Sequence, residues 1–564
     1  MNKVWQIAPK IPDDFKNQFP EIQPIILQLL WNRNLKTQKE IDEFLLPDYS
    51  QDLHSPFLFK EMEKIRKRIF SALAKKEQIT IYGDYDTDGV CGTALLYLSF
   101  KKLEGQVDYY IPDREKEGYG LNSEAIKIMA KNGTKLIVTI DCGITNEKEI
   151  DLANDLGLEV IITDHHTPLE ILPKAFAILN PKIKGENYPF KDLSGTGVAF
   201  KLVQALLNQV SMLKTFEKWL LDLVAIGTVA DLVNLKGENR TLVKYGLIVL
   251  NKTSRLGLRA LIKEANLSLG NLDTWNINYQ IAPRLNAAGR MDQAVTSLRL
   301  LLTENQKEAE NLAKNINQIN TERQKLVDKI FQECKNKIGL EPREKILVLW
   351  QENWPVGILG LIASKLVDEY FRPAIALSIR KNDIKGVGRS IEEFNLIESL
   401  KEINYFFSHY GGHFGAAGFT LKKKEISFLE KFNQEIKKIA EEKLKDLDLR
   451  PKIFIETEVN LPEITWLLYE EIRKFEPFGE NNPQPIFLAR DLIIEEISNL
   501  GKDGQHTKII VNGGRKMIYF GVGNKSSYLK RGDKIDVLFE LGENEWDGMK
   551  ELEFRIIDLK LSHE

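Results

Sequence analysis

The sequence predicts a multidomain α/β protein: a parallel-sheet domain, a long connecting helix, a second α/β domain and a C-terminal β-barrel. Three observations carry that prediction. The chain has 564 residues, and a single hydrophobic core rarely grows past about 300. Apolar, β-branched runs alternate with helix-period stretches through residues 56–235, as in strands covered on both faces by helices. After residue 450 short apolar runs recur at near-regular spacing (KIFIETEV, PIFLARDLII, HTKIIV, MIYFGVG, KIDVLFEL), which suggests a small barrel.

The elements follow in order. Residues 1–55 read as a helical lead-in. An apolar run spans Ile25 to Leu30, and Thr37 with Glu40 forms a capping box before Ile41, Phe44 and Leu45. Simple packing onto the domain that follows is the expectation. Residues 56–302 hold the parallel-sheet domain, with strands at 78–82 (QITIY), 136–140 (LIVTI) and 160–163 (VIIT). Helical stretches lie at 90–103, 123–131 and 146–156. Ligands of such sheets sit beyond the carboxyl ends of the strands. Residues 303–338 read as one helix, capped by Thr303 with Gln306 and carrying Ala309, Leu312, Ile316, Ile319, Leu326 and Ile330 at 3–4 spacing. It would span about 50 Å. With so few apolar residues it bridges two domains rather than filling one core. Residues 339–447 form the second α/β domain, opening with a strand at 345–350 (KILVLW), and residues 448–564 form the barrel.

Composition excludes several classes. Apolar residues make 43% and charged residues 28%, which rules out wholesale disorder. With 78 basic against 81 acidic residues the net charge is −3, so a globally basic nucleic-acid binder is excluded while a local basic face is not. Cys91, Cys142 and Cys334 share no CxxC spacing, so neither a disulfide framework nor a zinc ribbon is expected. No apolar leader and no run of about 18 apolar residues is visible. A soluble, cytoplasmic protein without a membrane partner is the expectation.

Three predicted strands end in acid: Asp84, Asp86 and Asp88 after the first, Asp141 after the second, and Asp164-His165-His166 after the third. In a parallel sheet these ends lie side by side, and carboxylates at such density repel unless something positive neutralises them. Carboxylates mixed with imidazole suit a pair of divalent cations, Mn²⁺ favoured and Mg²⁺ the other candidate. Such a pair serves in-line displacement at phosphorus. Alone, each motif has a plain alternative. A calcium loop would want Glu six residues after Gly89, where Leu95 stands. DCG alone reads as a strand-ending turn, and His-His as surface or core polarity. Asp231, in an otherwise apolar stretch, reads as a further ligand or as a helix N-cap.

These motifs together resemble the DHH phosphoesterase superfamily. The resemblance rests on GDYDTDG (83–89), DCGI (141–144), Asp164-His165-His166, GTGVAFKL (195–202) and GTVADLVNL (227–235), while GGHFGAAG (411–418) resembles its DHH-associated domain. PDR (112–114) leading into EGYG (117–120), and APRLNAAGR (282–290), narrow it to the single-strand-specific 5′→3′ DNA exonuclease branch. The resemblance implies metal ligation by Asp86, Asp88, Asp141, His165 and Asp231, with Asp84 as an extra ligand. It implies catalytic roles for Asp88, His166 and His413, with Gly411, Gly412 and His413 closing over the scissile phosphate. Arg114, Arg284 and Arg389 would hold DNA phosphates including the 5′ end, as guanidinium forks do. Tyr119, Asn286, Arg290 and Ser390 would complete the substrate site. The implied activity is hydrolysis of single-stranded DNA to 5′-mononucleotides in repair and recombination, by a monomer working with a single-strand-binding protein and a helicase. Two positions depart from the pattern. Val387 stands where a small hydroxyl residue is usual, and Pro355 where His is usual.

The barrel segment has a local basic excess: eight Lys/Arg against two Asp from 502 to 534. Tyr519, Phe520 and Tyr528 interleave with Lys508, Arg515, Lys516, Lys525, Lys530 and Arg531. The plain reading is core aromatics and a solvated charged face. The resemblance, which implies an OB-type fold here, favours a DNA-binding face. Two rival functions are a phosphodiesterase for short oligonucleotides or cyclic dinucleotides, and a non-catalytic replication scaffold.

Overall fold

The computed structural model describes residues 3–208, 213–423, 425–501, 504–523, 528–546 and 548–562. The chain divides into two compact units.

The larger unit comprises Leu53–Val233 and Leu242–Leu449. Its first half is built on a five-stranded, wholly parallel sheet ordered Val107–Tyr110, Gln78–Gly83, Thr134–Ile140, Glu159–Thr163, Ala177–Leu179. Ile79, Ile81, Leu136, Val138, Val160 and Ile162 are fully buried, the consequence of helices on both faces. The three expected strands are present. The two edge strands were not expected, because runs of four and three residues carry too little periodicity to read. The helix Thr87–Lys102 begins within the acidic motif, ahead of its apolar stretch, because Asp86 caps it by accepting from the Gly89 amide at 3.1 Å.

The second α/β part has a mixed sheet ordered Phe407–His413, Ala416–Leu421, Ile384–Arg389, Ala374–Ile379, Leu347–Glu352, in which only the last pair is parallel. The bridging helix runs Gln306–Ile338. Asn305, not Thr303, caps it: the Asn305 side chain accepts from the Glu308 amide, and the Thr303 hydroxyl donates to the Glu308 carboxylate. The helix packs on Leu256–Glu264, Ala282–Met291 and Val295–Leu302. Its Val327, Ile330 and Cys334 share a core with Ile358, Ile362 and Leu366 of the helix Val356–Tyr370. It therefore joins both α/β parts of this unit, as its sparse apolar stripe implies.

The smaller unit comprises Met1–Asp52, Asn234–Thr241 and Arg450–Glu564. Its barrel closes in the order Phe487–Leu500, His506–Val511, Arg515–Tyr519, Met549–Leu561, Lys534–Trp546, the last pairing back onto the first. The expectation that residues 1–55 pack on the following domain is corrected here. Phe15, Ile26, Leu27, Leu30 and Phe44 share one core with Ile509, Met517, Val537 and Phe539 of the barrel, and Val4–Ile7 pairs in parallel with Lys452–Ile455. An apolar helix face advertises burial but not its partner. The Thr37–Glu40 capping box is present. Arg240, fully buried, donates to the carbonyls of Phe44, Lys474, Phe475 and Glu476. Among the described residues no helix is long and apolar enough to cross a membrane.

Candidate active site

The site lies at the carboxyl edge of the parallel sheet, where each strand hands over to a turn that aims a polar side chain. Asp84 follows Gln78–Gly83, and Asp86 and Asp88 open the next helix. Asp141 follows Thr134–Ile140 with φ +60°, a conformation Asp tolerates better than most residues. Asp164, His165 and His166 follow Glu159–Thr163. Asp231 is the C-cap of Leu221–Ala230, not an N-cap. A carboxylate there opposes the helix dipole, so its place is not explained by helix stability.

Ligand-type atoms of Asp84, Asp86 and Asp141 lie within 4.8 Å of one another, as do those of Asp88, His165 and Asp231, and those of Asp141, His165 and His166. His165 Nε2 is 3.0 Å from Asp141 Oδ1 and 3.5 Å from Asp231 Oδ2. Asp84 Oδ1, Asp141 Oδ1, Asp231 Oδ2 and His165 Nε2 are buried with no hydrogen-bond partner. Burial, and then the neighbouring carboxylates, push Asp84, Asp141 and Asp231 well above the ordinary carboxylate range and Asp88 up to about 6. Burial, then His166, pushes His165 down to about 3, keeping its imidazole neutral. Unpartnered acceptors converging in a self-repelling cluster fit divalent cations. Asp88 has a second task, accepting from the Gly195 and Thr196 amides at 2.6 and 2.9 Å.

Asp164, expected only as one of the strand-end acids, and Asn180, not expected in the site, hold this edge in place together with Tyr119. Asp164 accepts from the amides of Ile144, His165 and His166 and lies 2.8 Å from His166 Nδ1. It is thus a positioning residue. Burial works against the charged form of His166, yet this bond to Asp164 raises its pKa. Tyr119 donates its hydroxyl to the Asp141 carbonyl at 3.0 Å and lies 3.1 Å from His166 Nδ1. Asn180, beyond the unforeseen strand Ala177–Leu179, donates to the His166 carbonyl at 2.9 Å.

Facing the carboxylates is a cluster of guanidinium groups. A cavity of 280 Å³ is lined by Asp84, Tyr85, Asp86, Arg114, Tyr119, Asp141, His166, Ala230, Asp231, Asn286, Arg290 and Arg389. Arg114 lies over the Tyr85 ring at 4.7 Å. Burial, then Arg114, Arg323 and Arg389, push Arg290 down to about 9, the mark of cations crowded together. Arg290 Nη1 donates to the Gly357 carbonyl at 3.1 Å. Pro355 caps the helix that begins at Val356. Val387 sits in its strand opposite Gly418 and Ala376. The His413 ring stands 6.5 Å from the His166 ring, nearly parallel. Gly412, at φ +151°, has no room for a Cβ, which would meet the Ala416 carbonyl at 2.2 Å. Gly411 has open space beside it.

Two expected substrate residues are placed otherwise. Arg284 does not line the cavity; it donates to Asn317 Oδ1 and the Gln280 carbonyl. Ser390 donates its hydroxyl to the Phe394 carbonyl, closing a turn.

On the barrel, strand pairing sorts the expected DNA-binding residues. Lys508 lies opposite Ile518 and Lys516 opposite Ile510, so both lysines share one outward face. Lys508 also meets Glu496 at 3.4 Å. Tyr519 lies opposite the fully buried Thr507 and packs against the core, away from those lysines. Arg515 lies over the Phe554 ring. Tyr528 and Arg531 are exposed. Lys525 lies outside the described residues.

Comparison with known proteins agrees with this geometry. Residues 78–228 match the DHH family N-terminal domain, 343–442 the DHHA1 domain and 455–558 the RecJ OB domain. The chain is 39% identical over 568 residues to the single-stranded-DNA-specific exonuclease RecJ of Bacillus subtilis (strain 168), covering 99% of this chain and 71% of that protein. It is 29% identical to the Escherichia coli (strain K12) protein of the same name, covering 99% of each. The crystal structure of Thermus thermophilus RecJ in complex with Mn²⁺ matches with a TM-score of 0.85 at 28% identity, covering 99% of this chain and 79% of that one. The corresponding complex with Mg²⁺ matches with a TM-score of 0.77 at 26% identity, covering 99% and 78%. A carboxylate–imidazole edge on a parallel sheet, an arginine-lined cavity facing it and these matches lead to one conclusion: the chain belongs to the RecJ family of the DHH superfamily.

Proposed function

We propose that the protein is a single-stranded-DNA-specific exonuclease that works 5′→3′ and releases 5′-mononucleotides. One observation carries the reading. Buried, unpartnered cation ligands and a set of crowded arginines face each other across one 280 Å³ cavity. That pairing suits a phosphodiester, whose charge the arginines hold while the cation side meets the scissile phosphorus.

Asp84, Asp86 and Asp141 would hold one divalent cation and Asp88, His165 and Asp231 a second, with Mn²⁺ preferred to Mg²⁺ by this carboxylate–imidazole donor set. When bound they supply a nucleophile at neutral pH and offset charge on the phosphoryl oxygens. The chain's own groups do the rest. Arg114, Arg290 and Arg389 bind the phosphates, bidentate forks fixing their orientation. Asp164 and Tyr119 fix the His166 ring, and His413 approaches from the opposite side to donate a hydrogen bond to the phosphate. Selectivity for single strands is steric: the channel between the two α/β parts, joined by the helix Gln306–Ile338, admits one strand but not a duplex. The outward lysines of the barrel bind the phosphate backbone. Residence in the cytoplasm, a monomeric state, a role in repair and recombination, and strand delivery by a single-strand-binding protein and a helicase belong to the same reading.

The test is Mn²⁺-dependent digestion of two identical strands, one labelled at the 5′ end and one at the 3′ end. Immediate release of a labelled mononucleotide from the 5′-labelled strand, with gradual shortening of the other, is expected. Release from the 3′ end first would refute the polarity. Turnover of dinucleotides but not of long strands would refute the exonuclease reading itself.

A further inference from the structure

The helical run that lines the cavity continues outward to an aromatic pair that the site does not use. It is unbroken from Thr274–Asn276 through the π-turn Ile277–Ile281 into Ala282–Met291. Its inner side is anchored, since Ile277 and Ile281 are fully buried and the π-turn packs on Leu221–Ala230, the helix that ends at Asp231. Its outer side carries Trp275, 55% exposed, and Tyr279, 61% exposed, with ring centroids 5.3 Å apart. Two adjacent aromatic rings exposed together form a patch, which is more informative than a single exposed side chain. Trp275 and Tyr279 are four residues apart, as are Asn286 and Arg290, a spacing that brings the two members of each pair to one side of the helical run. The last two line the cavity. At 1.5 Å per residue, Tyr279 stands about 10 Å and Trp275 about 16 Å from Asn286 along the axis. At the ~3.4 Å rise of stacked nucleotides this is three to five nucleotides from the cavity.

We propose that Trp275 and Tyr279 form a base-stacking platform that holds the single strand three to five nucleotides behind the one being cleaved. The proposal rests on the single-strand exonuclease reading and adds to it a specificity element for strand length. An aromatic face binds any base, so the platform is sequence-tolerant, and each stacked base adds roughly 5- to 150-fold in affinity. Continuity with the cavity along one helical run favours a nucleic-acid strand over a protein as the occupant.

The test uses the full chain with Mn²⁺ and three variants: Trp275→Ala/Tyr279→Ala, Trp275→Phe and Tyr279→Phe. With a decanucleotide, the double variant is expected to raise KM at least about 10-fold with kcat unchanged, while the Phe variants stay near the parent. Binding of a dinucleotide, too short to reach Tyr279, is expected to be unchanged. The decanucleotide should quench Trp275 emission, a component missing in Trp275→Phe. A decanucleotide KM within twofold of the parent would overturn the platform. So would an unchanged KM with an altered sedimentation coefficient, which would make the pair a contact between copies. A parent that degrades no single strand would instead refute the underlying reading. A parent that degrades it, with KM unmoved in the double variant, refutes the platform alone.

Discussion

Replacing Asp141 with Asn should make the cation-free protein more stable while removing its activity. Asn is the suitable substitute because residue 141 has φ +60°, which Asn adopts readily and Ala does not. The change is nearly isosteric, so packing against Gly195, whose added Cβ would meet Asp141 at 2.6 Å, is preserved. Without cations, Asp141 lies within 4.8 Å of Asp84 and Asp86. At an effective dielectric of about 20, each such pair of full charges costs about 3.5 kcal/mol or more. Partial protonation relieves much of this, as the raised pKa values of the cluster require. A net gain of about 3 kcal/mol for the Asn variant remains, or about 3–4 °C in Tm for a unit of this size. The assay is thermal unfolding with and without Mn²⁺, beside single-strand digestion. In chelator the variant should melt above the parent. With Mn²⁺ the parent should rise in Tm, by mass action of a ligand on the folded state, and the variant should rise far less. Turnover should fall by at least the roughly 10²–10³-fold lost with a single electrostatic stabiliser. A variant that melts below the parent in chelator, or that gains the same Tm from Mn²⁺, would refute the cation-site assignment.

Three further outcomes follow from the same geometry. Arg389→Gln should weaken single-strand binding by about 1.5–3 kcal/mol and reduce the slope of log K against log salt by about 0.7; an unchanged slope in a salt titration would remove Arg389 from the phosphate contacts. Deleting residues 450–564 is no clean test of the barrel, because residues 1–52 share its core. The double change Lys508→Ala/Lys516→Ala should instead lower the salt slope by about 1.4, with unfolding unaffected; a slope equal to the parent's would take the outward lysines off the DNA path. Glu540, mostly buried opposite Arg555 in the barrel, has its pKa raised to about 7, chiefly by burial. An acid with a raised folded pKa destabilises the fold as pH rises, here with no cost below about pH 4.5 and the full cost above about pH 7. Glu540→Gln should therefore gain roughly 2 kcal/mol at about pH 8 and almost nothing at about pH 4, read by urea unfolding at both; an equal gain at both would mean the effect is not charge burial.

What the sequence determined by itself was the chemistry and its local frame. Runs such as LIVTI followed by Asp141, and VIIT followed by Asp164, His165 and His166, place acids and imidazoles at strand ends, because a parallel sheet gives all its strands a common carboxyl edge. The bridging helix was legible from its sparse 3–4 spacing, and the capping box at Thr37 from local hydrogen bonding alone. These are signals carried within a few residues. What only the tertiary structure decided were partnerships between distant segments. The three-residue strand Ala177–Leu179 exists because its neighbour offers a ladder, and so Asn180 could be assigned only from the fold. Arg284 and Ser390 have the residue types of phosphate ligands, yet nearer hydrogen-bond partners hold them elsewhere. Tyr519 has the type of a stacking surface, but its register across from Thr507 turns it inward, since one residue of register decides the face. The N-terminal helices announced an apolar face, and the open core of the barrel determined where it was buried. Local pattern fixes which groups must be satisfied; only the assembled chain shows which partners satisfy them.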